Sequence, residues 1–160
     1  MVESTPLSSS VSPLPQRGTV LAFDFGEKRI GVAVGDLELE TAHPFTVIAA
    51  EENRARFEAI GNMIAEWHPV LLVIGLPAHA DGTEHEVSRL ARRFAQRLSG
   101  RYGLPTTLVD ERLTSRSAET RLRERGLAGE RLQGALDCAA AEEILRTFFD
   151  MRRQNSSASP

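Results

Sequence analysis

Short apolar runs alternate with stretches of helical spacing through the middle of this chain. The apolar runs predict five β-strands: Thr19–Phe23, Ile30–Val34, Phe45–Ile48, Val70–Ile74 and Thr106–Val109. Val20–Phe23 and Val70–Ile74 are apolar at every position, which is typical of strands covered on both faces. Apolar residues at helical spacing predict helices over about 53–67, 83–100, 115–125 and 136–151. The order β-β-β-α-β-α-β-α-α begins as an antiparallel hairpin and continues as strand–helix units that favour parallel pairing. We therefore expect an α/β fold with a five-stranded mixed sheet, helices on both of its faces, and Asp24 on a central strand.

Both ends of the chain have few residues that could be buried. The first 17 residues are rich in Ser and Pro, and residues 152–160 are polar and rich in Ser. These compositions predict disordered tails at 1–17 and 152–160. A length of 160 residues suits one domain, which we expect to span residues 18–151.

Composition excludes several classes of protein. No apolar run approaches the roughly 20 residues that a membrane helix needs, and the N-terminus lacks the basic and apolar regions of a signal peptide. Cys138 is the only cysteine, so it has no internal disulfide partner, which suits a reducing compartment. Four histidines and this cysteine, without C-x-x-C or H-x-x-x-H spacing, predict no zinc site. We expect a cytoplasmic protein without a membrane partner.

The formal net charge of −3 conceals an uneven distribution of charge. Between Glu86 and Arg125 the sequence has ten arginines and five acids, so this segment carries a surplus of +5. Four of these arginines recur at four-residue spacing and can form one stripe along a helix: Arg89, Arg93, Arg97 and Arg101. The stripe is either a phosphate-facing surface or a solvated helix face.

Carboxylates interrupt apolar patterns at three places. Asp24 ends the most hydrophobic strand, and Asp110 and Glu111 end the last strand. Asp137 lies on the apolar stripe of the last helix, where a lone acid is costly unless it is paired or holds a cation. Each acid also has an ordinary explanation: a turn, a surface ion pair or a helix N-cap.

Together the acids indicate a site. Ligands of open α/β sheets bind outside the carboxyl ends of the strands, where Asp24 and Glu111 both lie, and a helix bearing Asp137 could complete the cluster. Carboxylates without His or Cys suit a hard cation, Mg²⁺ or Mn²⁺. Such ions bridge phosphate oxygens and activate water, which is hydrolytic phosphoryl chemistry.

Four sequence motifs in this order resemble those of one family. They are Asp24–Val34 (DFGEKRIGVAV), Gly75-Leu76-Pro77 with Asp81-Gly82-Thr83, Asp110–Thr114 (DERLT), and Asp137 with Ala139-Ala140 and Ile144-Leu145. The chain resembles the YqgF family, described as Holliday junction resolvases and as pre-16S rRNA nucleases, within the ribonuclease H-like superfamily. The resemblance covers about residues 19–150 and implies a ribonuclease H-like fold.

The resemblance also implies roles for individual residues. Catalytic and metal-binding acids would be Asp24, Glu111 and Asp137. Substrate contacts would come from Lys28, Arg29, Asp81, Gly82, Arg112 and Thr114. The implied activity is metal-dependent hydrolysis of phosphodiester bonds with Mg²⁺ or Mn²⁺, in maturation of the 16S rRNA 5′ end.

Three features of this sequence depart from the family pattern or from related resolvases. Gln133 replaces a basic residue four positions before the last acid, and Gly35 replaces a serine that often precedes Asp36. Better-characterised resolvases carry their second acid where this chain has Gly75. This shift leaves open whether Asp110 or Glu111 is the second acid, and whether one or two ions bind.

Other functions fit the same residues. One is a Holliday junction resolvase that acts on branched DNA; cutting a junction symmetrically needs two active sites and hence a homodimer, whereas a monomer can trim RNA. Another is a non-catalytic RNA-binding factor in assembly of a ribosomal subunit precursor. A third is a nucleotide-handling module like those of sugar kinases and actin, but those proteins use two such domains, which one core of this length does not supply.

Overall fold

The computed structural model describes residues 14–76, 86–110, 126 and 129–158. Five strands form one sheet: β1 (Thr19–Phe25), β2 (Ile30–Asp36), β3 (Thr41–Ile48), β4 (Leu71–Leu76) and β5 (Thr106–Asp110). Their order across the sheet is β3-β2-β1-β4-β5, so β1 lies at the centre. Strand β1 pairs antiparallel with β2 and parallel with β4, which confirms the mixed sheet and the central position of Asp24.

Strand β3 is longer than the sequence pattern predicted, since it begins at Thr41 and runs through Pro44. The proline stands opposite Ala33, beside an irregularity in the β2–β3 register between Val32 and Ala33. Proline has no N–H to donate to a ladder and is therefore confined to edge strands and bulges. Its position on the edge strand β3 explains why the strand continues through Pro44, whereas the sequence pattern predicts a strand that starts after the proline.

Helices cover the two faces of the sheet. They are α1 (Asn53–Trp67), α2 (Glu86–Tyr102) and α3 (Gly129–Ala158). Helix α1 ends at His68 in the left-handed region (φ 49°), before Pro69, as predicted. The predicted helix over 115–125 lies outside the described residues. None of the helices in these ranges is both long and apolar enough to cross a membrane.

Successive side chains of a strand lie on opposite faces of the sheet, so the strands contribute to two separate hydrophobic cores. On one face, Val20 and Ala22 of β1 pack with Ile144 and Phe148 of α3. On the other face, residues of β1 and β4 pack with α1 and α2: Leu21, Phe23, Leu72 and Ile74 with Phe57, Ile60, Phe94 and Leu98. A sheet covered on both sides explains why β1 and β4 are apolar at every position.

The structure near both ends of the described residues differs from the prediction. Helix α3 begins before the predicted Leu136 and continues past Met151 to Ala158, so residues 152–158 are helical and not a disordered tail. Arg152 stabilises this extension because its guanidinium lies 5.6 Å from the centre of the Phe149 ring and 3.0 Å from the Glu40 carboxylate. Leu14, which the prediction placed in the first tail, packs against the α3-side core. Residues 1–13 and 159–160 lie outside the described residues.

Candidate active site

Asp24 lies near the carboxyl end of the central strand, on the face that α3 covers. It shares this face with Val20 and Ala22, which precede it at two-residue spacing. Its partners in the neighbouring strands are Gly31 of β2 and Gly75 of β4. Both partners are glycines, so the neighbouring strands place no side chain next to Asp24.

Gly31 lets helix α3 approach this part of the sheet. A Cβ atom at residue 31 would lie 2.0 Å from the carbonyl oxygen of Asp137 and 2.4 Å from its carbonyl carbon. The backbone of α3 at Asp137 therefore rests directly on Gly31, which stands opposite Asp24. This contact brings the two acids, 113 positions apart in the sequence, to one site.

Asp24 and Asp137 line the same pocket, of about 300 Å³, together with the turn between β1 and β2 (Gly26–Arg29). Arg29 Nε donates to Asp137 Oδ2 at 2.8 Å, and the side chains are 40% and 15% exposed respectively. Gln133 Nε2 donates to Asp137 Oδ1 at 3.1 Å. Lys28 is exposed at the pocket. With Glu27 of the turn, the pocket thus combines three acids with two cations.

The surroundings of Asp137 show whether it is a helix N-cap or an acid on the inward face of the last helix. Helix α3 begins at Gly129, two turns earlier, so Asp137 is not a helix cap. Ala141, Ile144 and Phe148 on the same stripe are buried, which confirms that Asp137 lies on the inward face. The next residue, Cys138, donates its thiol to Thr46 O at 3.3 Å. Burial, with a smaller effect of Asp137, raises the pKa of this thiol, so it is protonated at neutral pH.

Arg56 holds the β1–β2 turn in place, and sequence reasoning missed it. It is the one charged residue that is buried in the described part of the chain, with 3% exposure. Its guanidinium donates to the carbonyl oxygens of Gly26 (2.7 Å), Glu27 and Ala50, and lies 5.5 Å from the centre of the Phe25 ring. Burial lowers the pKa of Arg56. Because Gly26 and Glu27 precede Lys28 and Arg29, this clamp orients the two cations of the pocket.

The position of Arg56 in the sequence does indicate that its side chain is buried. Arg56 precedes Ile60 and Met63 at four- and seven-residue spacing, so it occupies the apolar stripe of α1 as Asp137 occupies that of α3. A long charged residue on a buried stripe indicates a specific polar partner. The partners are main-chain carbonyl groups of a distant turn, which sequence does not reveal.

Strand β5 bears on the choice between Asp110 and Glu111. Val109 packs on the α3 side, whereas Leu108 packs on the opposite side. Side chains alternate along a strand, so Asp110 shares the side of Leu108 and points away from Asp24. Asp110 is also not among the described residues that line the pocket.

Five predicted site residues lie outside the described residues: Asp81, Gly82, Glu111, Arg112 and Thr114. Within the described ranges, no group of three His, Cys, Asp or Glu side chains is arranged to hold a metal ion. The described part of the predicted site therefore consists of Asp24, Lys28, Arg29 and Asp137.

The predicted arginine stripe is not uniform. Phe94 and Leu98 are buried and Leu90 is partly buried, so the opposite side of α2 faces the core as predicted. Arg89 is bound to Glu86 in an ion pair, whereas Arg93 is exposed to solvent. Arg97 and Arg101 line a cavity between α1 and α2.

Comparisons with known proteins agree with this architecture. A family model described as "RuvX: Holliday junction resolvase" matches residues 18–151. The "Putative pre-16S rRNA nuclease" of Dechloromonas aromatica is 58% identical over 133 residues, which cover 83% of this chain and 91% of that protein. The yeast mitochondrial Holliday junction resolvase Ydc2 superposes with a TM-score of 0.57 at 12% identity, covering 92% of this chain and 84% of that one. T. thermophilus RuvC in complex with Holliday junction substrate superposes with a TM-score of 0.51 at 16% identity, covering 86% of this chain and 96% of that one.

The fold and these relatives define the class of protein as a ribonuclease H-like nuclease, a hydrolase that acts on phosphodiester bonds. Within that class the chain belongs to the RuvX family, which confirms the family indicated by its motifs under the name YqgF. The confirmed features are the fold class, the family and the type of enzyme.

Proposed function

We propose that this protein is a divalent-metal-dependent nuclease that matures the 5′ end of 16S rRNA in the cytoplasm. The observation that carries the proposal is the pocket shared by Asp24 and Asp137 at the carboxyl end of the central strand. The name of the Dechloromonas relative supports a precursor rRNA as the substrate.

The donor atoms of the pocket fit a hard cation. Asp24 and Asp137 offer carboxylate oxygens from two different elements, without sulfur or imidazole, which suits Mg²⁺ or Mn²⁺ better than zinc. We propose Glu111 as the third acid, because Asp110 points away from Asp24 by the alternation of β5. A divalent ion held by these acids would neutralise phosphate charge and lower the pKa of water.

The protein's own cations would bind the substrate. Lys28 is exposed at the pocket rim, and Arg29 reaches the Asp137 carboxylate from the same turn. A scissile phosphate entering the pocket offers Arg29 a second anionic partner, so Arg29 can contact substrate and acid together. We propose the same backbone-binding role for Arg112 and Thr114, and contacts from the loop at Asp81 and Gly82.

The test is cleavage of a pre-16S rRNA fragment by the purified chain with Mg²⁺ or Mn²⁺ and with excess EDTA. Asp24→Asn should abolish cleavage while keeping the melting temperature of the metal-free protein equal or higher, because one source of repulsion between carboxylates is removed. Asp150→Asn is the matched control, since Asp150 is an exposed acid that pairs with Arg153 outside the pocket. Cleavage by Asp24→Asn, or in EDTA, would refute the proposal.

A second candidate substrate is a four-way DNA junction. The description of the family and the two resolvase folds favour it. A synthetic junction assayed beside the rRNA fragment separates the two, and sedimentation of the active species separates a monomer from the homodimer that symmetric cleavage needs. Binding of rRNA without cleavage under any metal condition would instead support an RNA-binding assembly factor.

A further inference from the structure

A second cavity lies on the face of the sheet opposite α3. It has a volume of about 760 Å³ and is formed between α1 and α2; we call it the α1–α2 cleft. Its lining includes Arg54, Phe57, Glu58, Arg97, Arg101 and Tyr102. None of them lines the pocket of Asp24 and Asp137, so the cleft is a separate site.

Positive charge converges on the α1–α2 cleft from two helices. Arg54 comes from α1, and Arg97 and Arg101 come from successive turns of α2, against a single acid, Glu58. Within the described ranges, none of these three arginines lies within 4.0 Å of a carboxylate, whereas Arg89 is paired with Glu86. Three cations beside one acid leave a surplus of positive charge, and an anion bound between the arginines reduces their mutual repulsion.

The floor of the α1–α2 cleft is aromatic and held in place. Tyr102 donates its hydroxyl to Phe57 O at 2.8 Å, and a Cβ at Gly61 would lie 3.1 Å from that hydroxyl. The Arg101 guanidinium lies 4.5 Å from the centre of the Phe57 ring. An arginine held against a ring offers its outer face to a nucleobase, and bases of single strands stack on guanidinium planes and aromatic rings. The cleft therefore offers partners for both a phosphate and a base.

Helix α1 connects the α1–α2 cleft to the active-site pocket. Asn53 and Arg54 line the cleft, while Arg56, in the same turn of helix, binds the carbonyl groups of Gly26 and Glu27 beside the pocket. The first turn of α1 therefore contacts the turn that lines the pocket and also contributes to the cleft. A nucleic-acid chain that leaves the pocket across the β1–β2 turn would be directed along α1 towards the cleft.

We propose that the α1–α2 cleft binds a nucleotide of the single-stranded substrate outside the cleavage site, with Arg54, Arg97 and Arg101 on phosphate. The inference rests on the proposed function, because it assigns the cleft to the same nucleic-acid strand. It differs from the stripe predicted from sequence, since it adds Arg54 of α1 and leaves out Arg89 and Arg93.

The test is RNA binding by a cleft variant, Arg54→Ala with Arg101→Ala, in an Asp24→Asn background that prevents cleavage. Fluorescence anisotropy would use a single-stranded RNA of about 16 nucleotides, the upper size of a single-strand-binding groove, and a dinucleotide for comparison. The control is Arg17→Ala with Arg153→Ala, which removes the same charge from exposed residues that pair with Glu38 and Glu40. Melting temperatures confirm that both variants fold.

The cleft variant should bind the longer RNA about tenfold more weakly, and the slope of log K against log salt should flatten by about 0.7 for each lost phosphate contact. Each single substitution should cost less than half of the combined effect if both arginines share one phosphate, which a double-mutant cycle measures. The control should bind within about twofold of the parent, because exposed charges far from a bound strand are screened at physiological salt.

An unchanged affinity and slope in the cleft variant would overturn the proposal, and so would an equal loss in the control. Binding of adenosine monophosphate that depends on Arg54 and Arg101 but does not compete with the longer RNA would assign the cleft to a free nucleotide and also overturn it. Failure of the parent protein to cleave RNA would refute the proposed function alone, because the binding comparison does not use cleavage.

Discussion

Gly31 controls the distance between Asp24 and Asp137, so Gly31→Ala is a direct test of how the site is assembled. The new methyl group would lie 2.0 Å from Asp137 O, and contacts of this kind are ordinary from 3.4 Å, so β2 and α3 must separate by about 1.4 Å. The clashing atoms belong to the backbone of α3 and therefore cannot rotate away. Overpacking of this kind costs about 1–3 kcal/mol of unfolding free energy.

The displacement acts on Asp137 itself, and a misplacement of about 1 Å costs about 100-fold in the rate of an enzyme. We expect Gly31→Ala to lower kcat/KM for RNA cleavage by about that factor. The assays are urea unfolding and cleavage under metal saturation, at a temperature where the variant is folded.

Two matched variants separate stability from site geometry. Gly35 lies on the same strand as Gly31, and a Cβ there would meet Thr41 O of β3 at 2.1 Å and the end of the Leu145 side chain of α3 at 2.7 Å. The α3 contact is a side-chain end two turns after Asp137, so Gly35→Ala should lower stability while keeping kcat/KM close to that of the parent. Gly134→Ala meets nothing within 4 Å and lies on α3 one turn before Asp137, so it should raise stability by up to about 1 kcal/mol. Wild-type stability and cleavage in Gly31→Ala, or an equal loss of cleavage in Gly35→Ala, would refute the reasoning.

Two further predictions concern Arg56 and Glu40. Arg56→Lys keeps the charge but loses the planar guanidinium that reaches three carbonyl groups, so it should leave a buried carbonyl unpaired and lower the unfolding free energy by about 1–3 kcal/mol. In steady-state kinetics it should raise KM more than it lowers kcat. An unchanged KM would contradict the proposed role of Arg56 in holding the β1–β2 turn. Glu40→Gln should lower the melting temperature by about 1–2 °C at pH 7. Hydrogen bonds from Arg153 and Arg152 lower the pKa of Glu40 below its ordinary value of 4.5, so this stabilisation is complete above that value and is lost as the pH falls through the folded-state pKa. Melting curves of both proteins from pH 7 to pH 3 should therefore converge at the acid end, and a difference that persists there would refute the assignment.

The pattern of residues along the chain determined much of this protein. Fully apolar runs identified β1 and β4 as strands covered on both faces, and Asp24 stood out because it ended one of them. Asp137 stood out because it interrupted an apolar helical stripe, and the structure confirmed that this stripe faces inward. These inferences succeeded because burial on one side of an element leaves a local periodicity in the sequence.

Only the tertiary structure decided which elements meet. Periodicity tells which side of an element is buried but not against what, so the contact of Gly31 with Asp137, the reach of Arg56 to the β1–β2 turn, and the α1–α2 cleft could not be predicted. The length of α3 shows the same limit: its polar last turns resemble a disordered tail, and they are helical because Arg152 and Arg153 bind Glu40, more than 100 positions earlier. Contacts between distant residues depend on how the sheet orders its strands and on how closely a helix can approach it, and here the approach of α3 to the site depends on the absence of a side chain at Gly31.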